Sequence, residues 1–565
     1  MRSVILYMTM PVDASLERFY MPTKTNLDDK NKVISSINNA DKKLLNSITS
    51  AAKAHPIAIL SIAPQRMNDS ACHSTFITEI QKIYKKDKSG TLPYDVLSSH
   101  HRELTIEWER IIRAAIAILR KADTREPFRE RSHSQINPSA YGVTHLKEFF
   151  QKFVDFEDVL YGADRWYRDH VVHAYRVWLL GLDFLLKEKP AGGIFADDFS
   201  EAISLEVKCD LGLFCSKDIE QNIPNSQATA LPIDAPKFVY SYDEIIAIWS
   251  IAALTHDLGY PLEKAPKILR SIQDMMANFV CSPDLRQDLR FNTAADSIND
   301  YVVRLISTRM SQYRPYFNDV VNEKVYVGRV QPKFYIKFLK SLETSRHGII
   351  SSIVLYKSLL YFLETDCNIS EDYRFTHEDV RQFYARREIL RSIASHTCSD
   401  VYQMYVASFS FLLFFCDELQ DWGRNKYHGI RDSDIHFFPP EVVEFSKECI
   451  EIKQSYAIKR FKPNDNLDST SIAIAAKRIQ SEFEKFRLVY RDGIDTTNRK
   501  FSFKKSIQLE ICDLDLPITI VYSIPANSEA TIYYEHPGLS ADKIVKHIKA
   551  IQTQKISVAK NDSSS

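Results

Sequence analysis

Leu254-Thr255-His256-Asp257-Leu258-Gly259-Tyr260-Pro261 closes an apolar run that begins at Ile245. A continuous apolar stretch of this length reads as a buried helix. Gly259 and Pro261 mark where such a helix must stop. The run therefore delivers an adjacent His-Asp pair to a helix end. An imidazole nitrogen beside a carboxylate oxygen suits a divalent Mn, Fe, Co, Ni or Zn ion, and the carboxylate also suits Mg. Taken alone, the dipeptide equally describes a cap, with His256 on the last helical carbonyls and Asp257 opening a turn.

Working outward, the neighbours of this pair change its meaning. Upstream, Tyr167-Arg168-Asp169-His170-Val171-Val172-His173-Ala174-Tyr175-Arg176-Val177 places His170 and His173 three residues apart, on one helix face. Downstream, Arg346-His347-Gly348 opens a long apolar helix, and His396 ends another at Ile393-Ala394-Ser395-His396-Thr397. The stretch Phe411 to Arg424 sets Asp417, Glu418 and Asp421 at the end of a very apolar helix. A lone carboxylate in such a stripe is costly unless it is paired or metal-bound, which singles out Asp417. Each residue also has a plainer reading. His396 fits a C-terminal cap favoured by the helix dipole, and His170 rivals His173 for the same role. Glu418 and Asp421 fit a solvated face salt-bridged to Arg424. His100, His101, His428 and His436 have no such context and are assigned to structure, and Cys398 and Cys416 to small buried hydrophobes.

The ordered series His, His-Asp, His, His, Asp, each member on or beside a helix, resembles the HD-domain metal-dependent phosphohydrolase superfamily. His173-x-x-Arg176-Val177 looks like its first motif, His256-Asp257-Leu258-Gly259 like the second, and Asp417 like the closing aspartate. His347 and His396 resemble the additional ligands of two-metal branches. The resemblance spans roughly residues 145 to 430. His347-Gly348 with Asp417 to Arg424 looks most like a bacterial branch called HD-CE.

The resemblance implies a helical HD bundle with one or two divalent metal ions as cofactor. His173, His256, Asp257 and Asp417 would hold one ion, and Asp257 would bridge to a second held by His347 and His396. The activity implied is hydrolysis of a phosphoester or phosphoanhydride bond, in a nucleotide or small oligonucleotide, by a metal-activated water. Asp169 is the candidate to orient a histidine, and Arg176, Lys264 and Arg424 are candidates to hold phosphate. Two alternatives stay open: a nuclease with the same ligands, and a non-catalytic HD module that binds a nucleotide or a protein. The chain also departs from known branches. Deoxynucleotide triphosphohydrolases carry a further His soon after His-Asp, where this chain has Tyr260-Pro261-Leu262-Glu263-Lys264-Ala265. The cyclic dinucleotide branch has Gly-Lys where this chain has Gly259-Tyr260.

Composition bounds the rest. The 565 residues are 45% hydrophobic and 26% charged, which is globular and argues against disorder. Lys+Arg and Asp+Glu are equal at 73 each, so no net field draws the chain to nucleic acid or an anionic membrane; a local basic groove for nucleic acid stays open. Nine scattered cysteines without a C-x-x-C pair fit the reduced thiols of a cytoplasmic protein. No signal-peptide pattern, P-loop or Rossmann glycine motif is found, and no membrane partner is expected. Oligomeric state is left open. The fold class expected is mainly α, in three parts: a mostly helical region over 1–140, the HD domain over 141–431, and a small C-terminal α+β domain over 432–565. Less regular insertions are expected at 190–240 and 281–330, the second mixing a helix with a short β-prone stretch at Val325–Val327. Helices are expected at Ile106–Lys121, Thr144–Leu160, Arg165–Lys187, Ser241–Leu258, Pro332–Glu343, His347–Leu363, Thr376–His396, Ser399–Trp422, Thr470–Val489 and Leu539–Ile551. Strands are expected at Phe501–Ile511, Pro517–Ser523 and Ala530–Tyr534.

Overall fold

The computed structural model describes residues 39–51, 54–55, 101–121, 142–163, 169–189, 192–210, 239–278, 293–313, 325–363, 377–401, 406–424, 435–446, 448–458, 479–486, 501–511, 518–525 and 530–535. Helix dominates them, as the periodicity predicts. The principal helices are α1 (His101–Lys121), α2 (Val143–Ala163), α3 (Val171–Leu185), α4 (Phe195–Asp210), α5 (Tyr242–Thr255), α6 (Tyr260–Asn278), α7 (Thr293–Ser307), α8 (Pro332–Glu343), α9 (His347–Ser358), α10 (His377–Ser395) and α11 (Phe409–Leu419). The helix expected at Leu539–Ile551 lies outside the described residues.

Helix α5 is the axis of the body. Ser241 caps it by accepting the Glu244 amide, and the Glu244 carboxylate takes the Ser241 amide in return. This reciprocal pair satisfies two end groups and fixes the start. Every residue from Glu244 to Thr255 is buried, so the helix is apolar all round because it is surrounded. The stretch Tyr242–Asp274 is long and apolar enough to cross a membrane, but 89% of its most apolar window is buried inside the protein. Three tryptophans lock its neighbours. Trp178 Nε1 donates to Ser250 Oγ at 2.9 Å, Trp249 Nε1 to the Trp178 carbonyl at 2.9 Å, and Trp108 Nε1 to the Leu254 carbonyl at 2.9 Å. The last bond ties α1, from the region before residue 140, to the turn that carries His256.

Three expected helices are shorter than the sequence suggests, and one of them, His347–Leu363, stops at Ser358 where Leu359 is extended. Helix α3 starts at Val171 because Asp169 Oδ1 accepts the Val172 amide at 2.9 Å. Helix α11 starts at Phe409, where Ser408 takes the Phe411 amide, so Ser399–Trp422 is not one helix. The first expected insertion holds α4; in the second, α7 is a helix and the β-prone stretch is β2 (Val325–Val330), as expected, paired antiparallel with β1 (Thr308–Tyr313).

Beyond residue 434 the described chain forms a six-stranded sheet of order β3-β5-β6-β7-β8, with β4 paired to β5. The strands are β3 (Ile435–Phe437), β4 (Glu441–Phe445), β5 (Cys449–Ile458), β6 (Ser502–Ile511), β7 (Ile518–Ile524) and β8 (Thr531–Glu535). The last three match the expected strands, with β8 at an edge and β7 inside. The first three were not foreseen. Strands β5 and β6 are parallel, which requires a crossover, and the helical residues 479–486 lie on it. The sheet shares its core with the helices: Phe445 stacks on Phe184 at 4.3 Å between ring centres, and Phe486 bridges Phe414 at 5.3 Å and Phe503 at 4.6 Å. A buried charge on this inner face, Lys505, is met by the buried Glu482 carboxylate.

Candidate metal centre

Six side chains from well-separated points of the sequence converge beside the end of α5. His173 comes from the first turn of α3, His256 and Asp257 from the turn after α5, and His347 from the first residue of α9. His396 caps α10, and Asp417 lies in the last turn of α11. Each imidazole is anchored through Nδ1 and turns Nε2 inward. His256 Nδ1 donates to the Ala253 carbonyl at 2.8 Å and His396 Nδ1 to the Ile393 carbonyl at 2.5 Å. His347 Nδ1 donates to Glu263 Oε2 at 2.7 Å, and His173 Nδ1 to Gln420 Oε1. The Gln420 amide is itself held, since Nε2 donates to the Trp422 carbonyl at 2.7 Å. Fixing the proton on Nδ1 leaves the Nε2 lone pairs for a cation.

The two oxygens of Asp257 face different histidine pairs. Oδ2 lies 3.3 Å from His256 Nε2 and 3.9 Å from His173 Nε2. Oδ1 lies 3.3 Å from His347 Nε2 and 3.8 Å from His396 Nε2. Asp417 Oδ1 completes the first set, 2.8 Å from His173 Nε2 and 3.9 Å from His256 Nε2. In the second set the His347 and His396 Nε2 atoms are 3.2 Å apart. Two donors each ~2.1 Å from one ion lie roughly 3.0–3.4 Å apart at octahedral or tetrahedral angles. The observed spacings bracket that range, so the residues fit a metal ion. A third trio, His256, His396 and Asp417, links the two sets. The buried Nε2 of His256 makes no hydrogen bond among the described residues. A buried polar atom left this way calls for an unseen partner, and a cation is one.

Electrostatics agree. Burial pushes the Asp257 carboxyl up, but the imidazoles of His256, His347 and His396 outweigh it and hold it well below the usual carboxylate range. Burial acts the same way on Asp417, and His173 overrides it. Burial lowers His347, yet Asp257 and Glu263 raise it to about 9, and His347 with Lys264 brings Glu263 down to about 2 against its own burial. The centre thus sets ionised carboxylates directly among imidazoles.

Two glycines let these elements touch. A Cβ on Gly259 would lie 2.4 Å from the His347 carbonyl oxygen and 2.7 Å from the Ser351 amide nitrogen. A Cβ on Gly348 would lie 2.6 Å from the Ile393 carbonyl oxygen and 3.0 Å from His396 Cε1. Any side chain at either position would push α9 away from the His-Asp turn or from His396.

The centre opens on one side. The side chains of Asp417 and His347 are 22% and 19% exposed, against 0% for His173 and His256. These two line a cleft of about 350 Å³ with Glu263, Arg346, His396, Phe414, Glu418 and Lys485.

Three further residues have roles other than those expected. Arg176 does not hold phosphate; it is buried, with Nη2 3.0 Å from Asp41 Oδ2 and Nη1 donating to the Gly423 carbonyl at 2.9 Å. Asp169 Oδ1 accepts the Val172 amide in the first turn of α3, and it is Gln420 that meets His173 Nδ1. Lys264 does not line the cleft; it lies 2.9 Å from Glu263 Oε1 and over the Tyr260 ring. Arg424 donates Nε to the Asp169 carbonyl at 3.2 Å. Sequence reasoning missed Gln420 and Glu263. Gln420 follows Asp417 by three residues, the spacing that shares a helix face, and that signal was open to use.

No protein-family model matches the chain, and no curated protein or solved structure matches it either.

Proposed function

We propose that this chain is a metal-dependent phosphohydrolase of the HD type, acting on a phosphoester or phosphoanhydride bond of a nucleotide-sized substrate. The observation that carries this reading is the division of Asp257: one oxygen toward His173 and His256, the other toward His347 and His396. A carboxylate placed between two imidazole pairs is the donor arrangement for two neighbouring cations. His173, His256, Asp257 and Asp417 would hold one, and Asp257, His347 and His396 the other. Four imidazoles with two carboxylates favour Mn, Fe, Co, Ni or Zn over Mg, which prefers all-oxygen sites.

Such ions, when bound, supply Lewis acidity toward phosphoryl oxygens and make a water acidic enough to ionise near neutral pH. The chain's own contribution is placement. Gln420, Glu263 and the Ala253 and Ile393 carbonyls stop the imidazoles from rotating, so the donor positions pre-exist substrate. Asp417 and His347 face the cleft, so the reacting bond would enter from there. The cleft volume falls at the small end of the range for small-molecule sites, which favours one nucleotide over a strand.

The test is elemental analysis paired with phosphate release from a panel of nucleotides and oligonucleotides, with wild type and Asp257→Ala side by side. Bound metal and turnover that both vanish in the variant support the reading. Wild-type protein that takes up no metal even when Mn or Fe is supplied overturns it.

A further inference from the structure

The charges in the cleft are almost all committed. Glu263 is held by His347 and Lys264, and Asp417 by His173. Glu418, from the last turn of α11, is paired with Lys485, which the crossover segment between β5 and β6 supplies. Arg346 is the exception. It precedes His347 directly, at the N-cap of α9, and its exposed guanidinium has no carboxylate partner among the described residues. Its backbone is fixed: the Arg346 amide donates to the Ser341 carbonyl at 3.0 Å, and Ser345, at φ 51°, reverses the chain there. A Schellman-type turn thus fixes the backbone at the start of α9, where Arg346 and His347 both line the cleft.

We propose that Arg346 is a substrate-binding residue that takes an anionic, phosphate-bearing group in this cleft, and that Lys485 supports it by neutralising Glu418. The inference rests on the phosphohydrolase reading and extends it to the residue that would select a charged substrate. Arginine presents a planar fork that matches phosphate oxygens in pairs, in a cleft whose other charges cancel locally. Lys485 comes from the part of the chain that forms the sheet, so that part would be a wall of the substrate site. Lys485 is a cation placed directly on the Glu418 carboxylate at the cleft, so removing it would leave that wall more repulsive to an anion.

The test is calorimetric binding of inorganic phosphate to full-length protein loaded with Mn, with metal content measured on each sample. Arg346→Ala should weaken phosphate binding about tenfold or more, which corresponds to ~1.4 kcal/mol, with metal content unchanged; Arg346→Lys should keep part of the affinity. Lys485→Ala should also weaken binding, and adding Glu418→Gln should restore it. Arg346→Ala binding as tightly as wild type overturns the assignment of Arg346. A Lys485→Ala loss that Glu418→Gln does not restore overturns the role of Lys485. Wild type that binds Mn but no phosphate would instead sink the hydrolase reading beneath both.

Discussion

Asp257 is the residue on which the centre turns, because it alone belongs to both donor sets. Its partners in the second set can be removed without touching the first. Replacing His347 and His396 together by Ala should halve the bound metal, measured by elemental analysis; unchanged content would mean a single ion. A second expectation concerns protons. Without a cation, His347 is held up at about 9 by Asp257 and Glu263, despite burial that pushes it down, so it carries a proton at pH 7. A cation at Nε2 must displace that proton. Affinity should therefore rise as pH climbs toward 9 and fall as pH drops, and calorimetry in two buffers of different ionisation heat should detect proton release. Heats independent of buffer would contradict this. At this scale the sequence was legible where chemistry is rare: His and Asp in apolar runs stand out because burial must be compensated. It was illegible for Arg176, whose partner Asp41 lies 135 residues away, a pairing that no local spacing announces.

Elements set how precisely those residues meet. Helices α9 and α10 approach so closely at Gly348 that a methyl group has no room. Gly348→Ala should destabilise the fold by about 1–3 kcal/mol through overpacking and weaken metal binding by shifting His347 from His396. A urea titration and a metal titration on the same variant would check both, and a variant as stable as wild type would show the contact to be soft. Helix existence was readable from periodicity, and α8 has the bounds its pattern predicts, Pro332–Glu343. Helix ends were less readable, because the Ser408 cap and the Asp169 carboxylate ahead of α3 act through single hydrogen bonds. Strand β5 was overlooked although Ile450, Ile452, Gln454 and Tyr456 alternate inward. The polar Gln454 breaks the apolar count, and its amide is satisfied by the Phe438 carbonyl, which only pairing with the neighbouring chain supplies.

On the scale of the molecule, the centre joins helices that are far apart in sequence, and its core continues into the sheet through Phe184, Phe445, Phe414 and Phe486. Neither composition nor periodicity states which helix packs on which, so that continuity could not be read beforehand. A ligand that binds only the folded state stabilises it. A free metal concentration of about 100 Kd should add ~2.7 kcal/mol, and thermal unfolding should move up by about 2–4 °C with metal and back with a chelator. A transition indifferent to metal would speak against a closed site.

The order of the ligands along the chain also has a consequence in time. His173 and Asp417 touch, yet 244 residues separate them, and Gln420, which holds His173, comes later still. At ~5–20 residues per second, on the order of 10–50 s of synthesis passes between the first ligand and the last. His256 and Asp257 emerge midway, when their partners do not yet exist. Helix α5 packs on α1 and α3, which precede it, but also on α10 and α11, which follow, so its burial and the ligand set would be completed together and ion capture would come last in assembly.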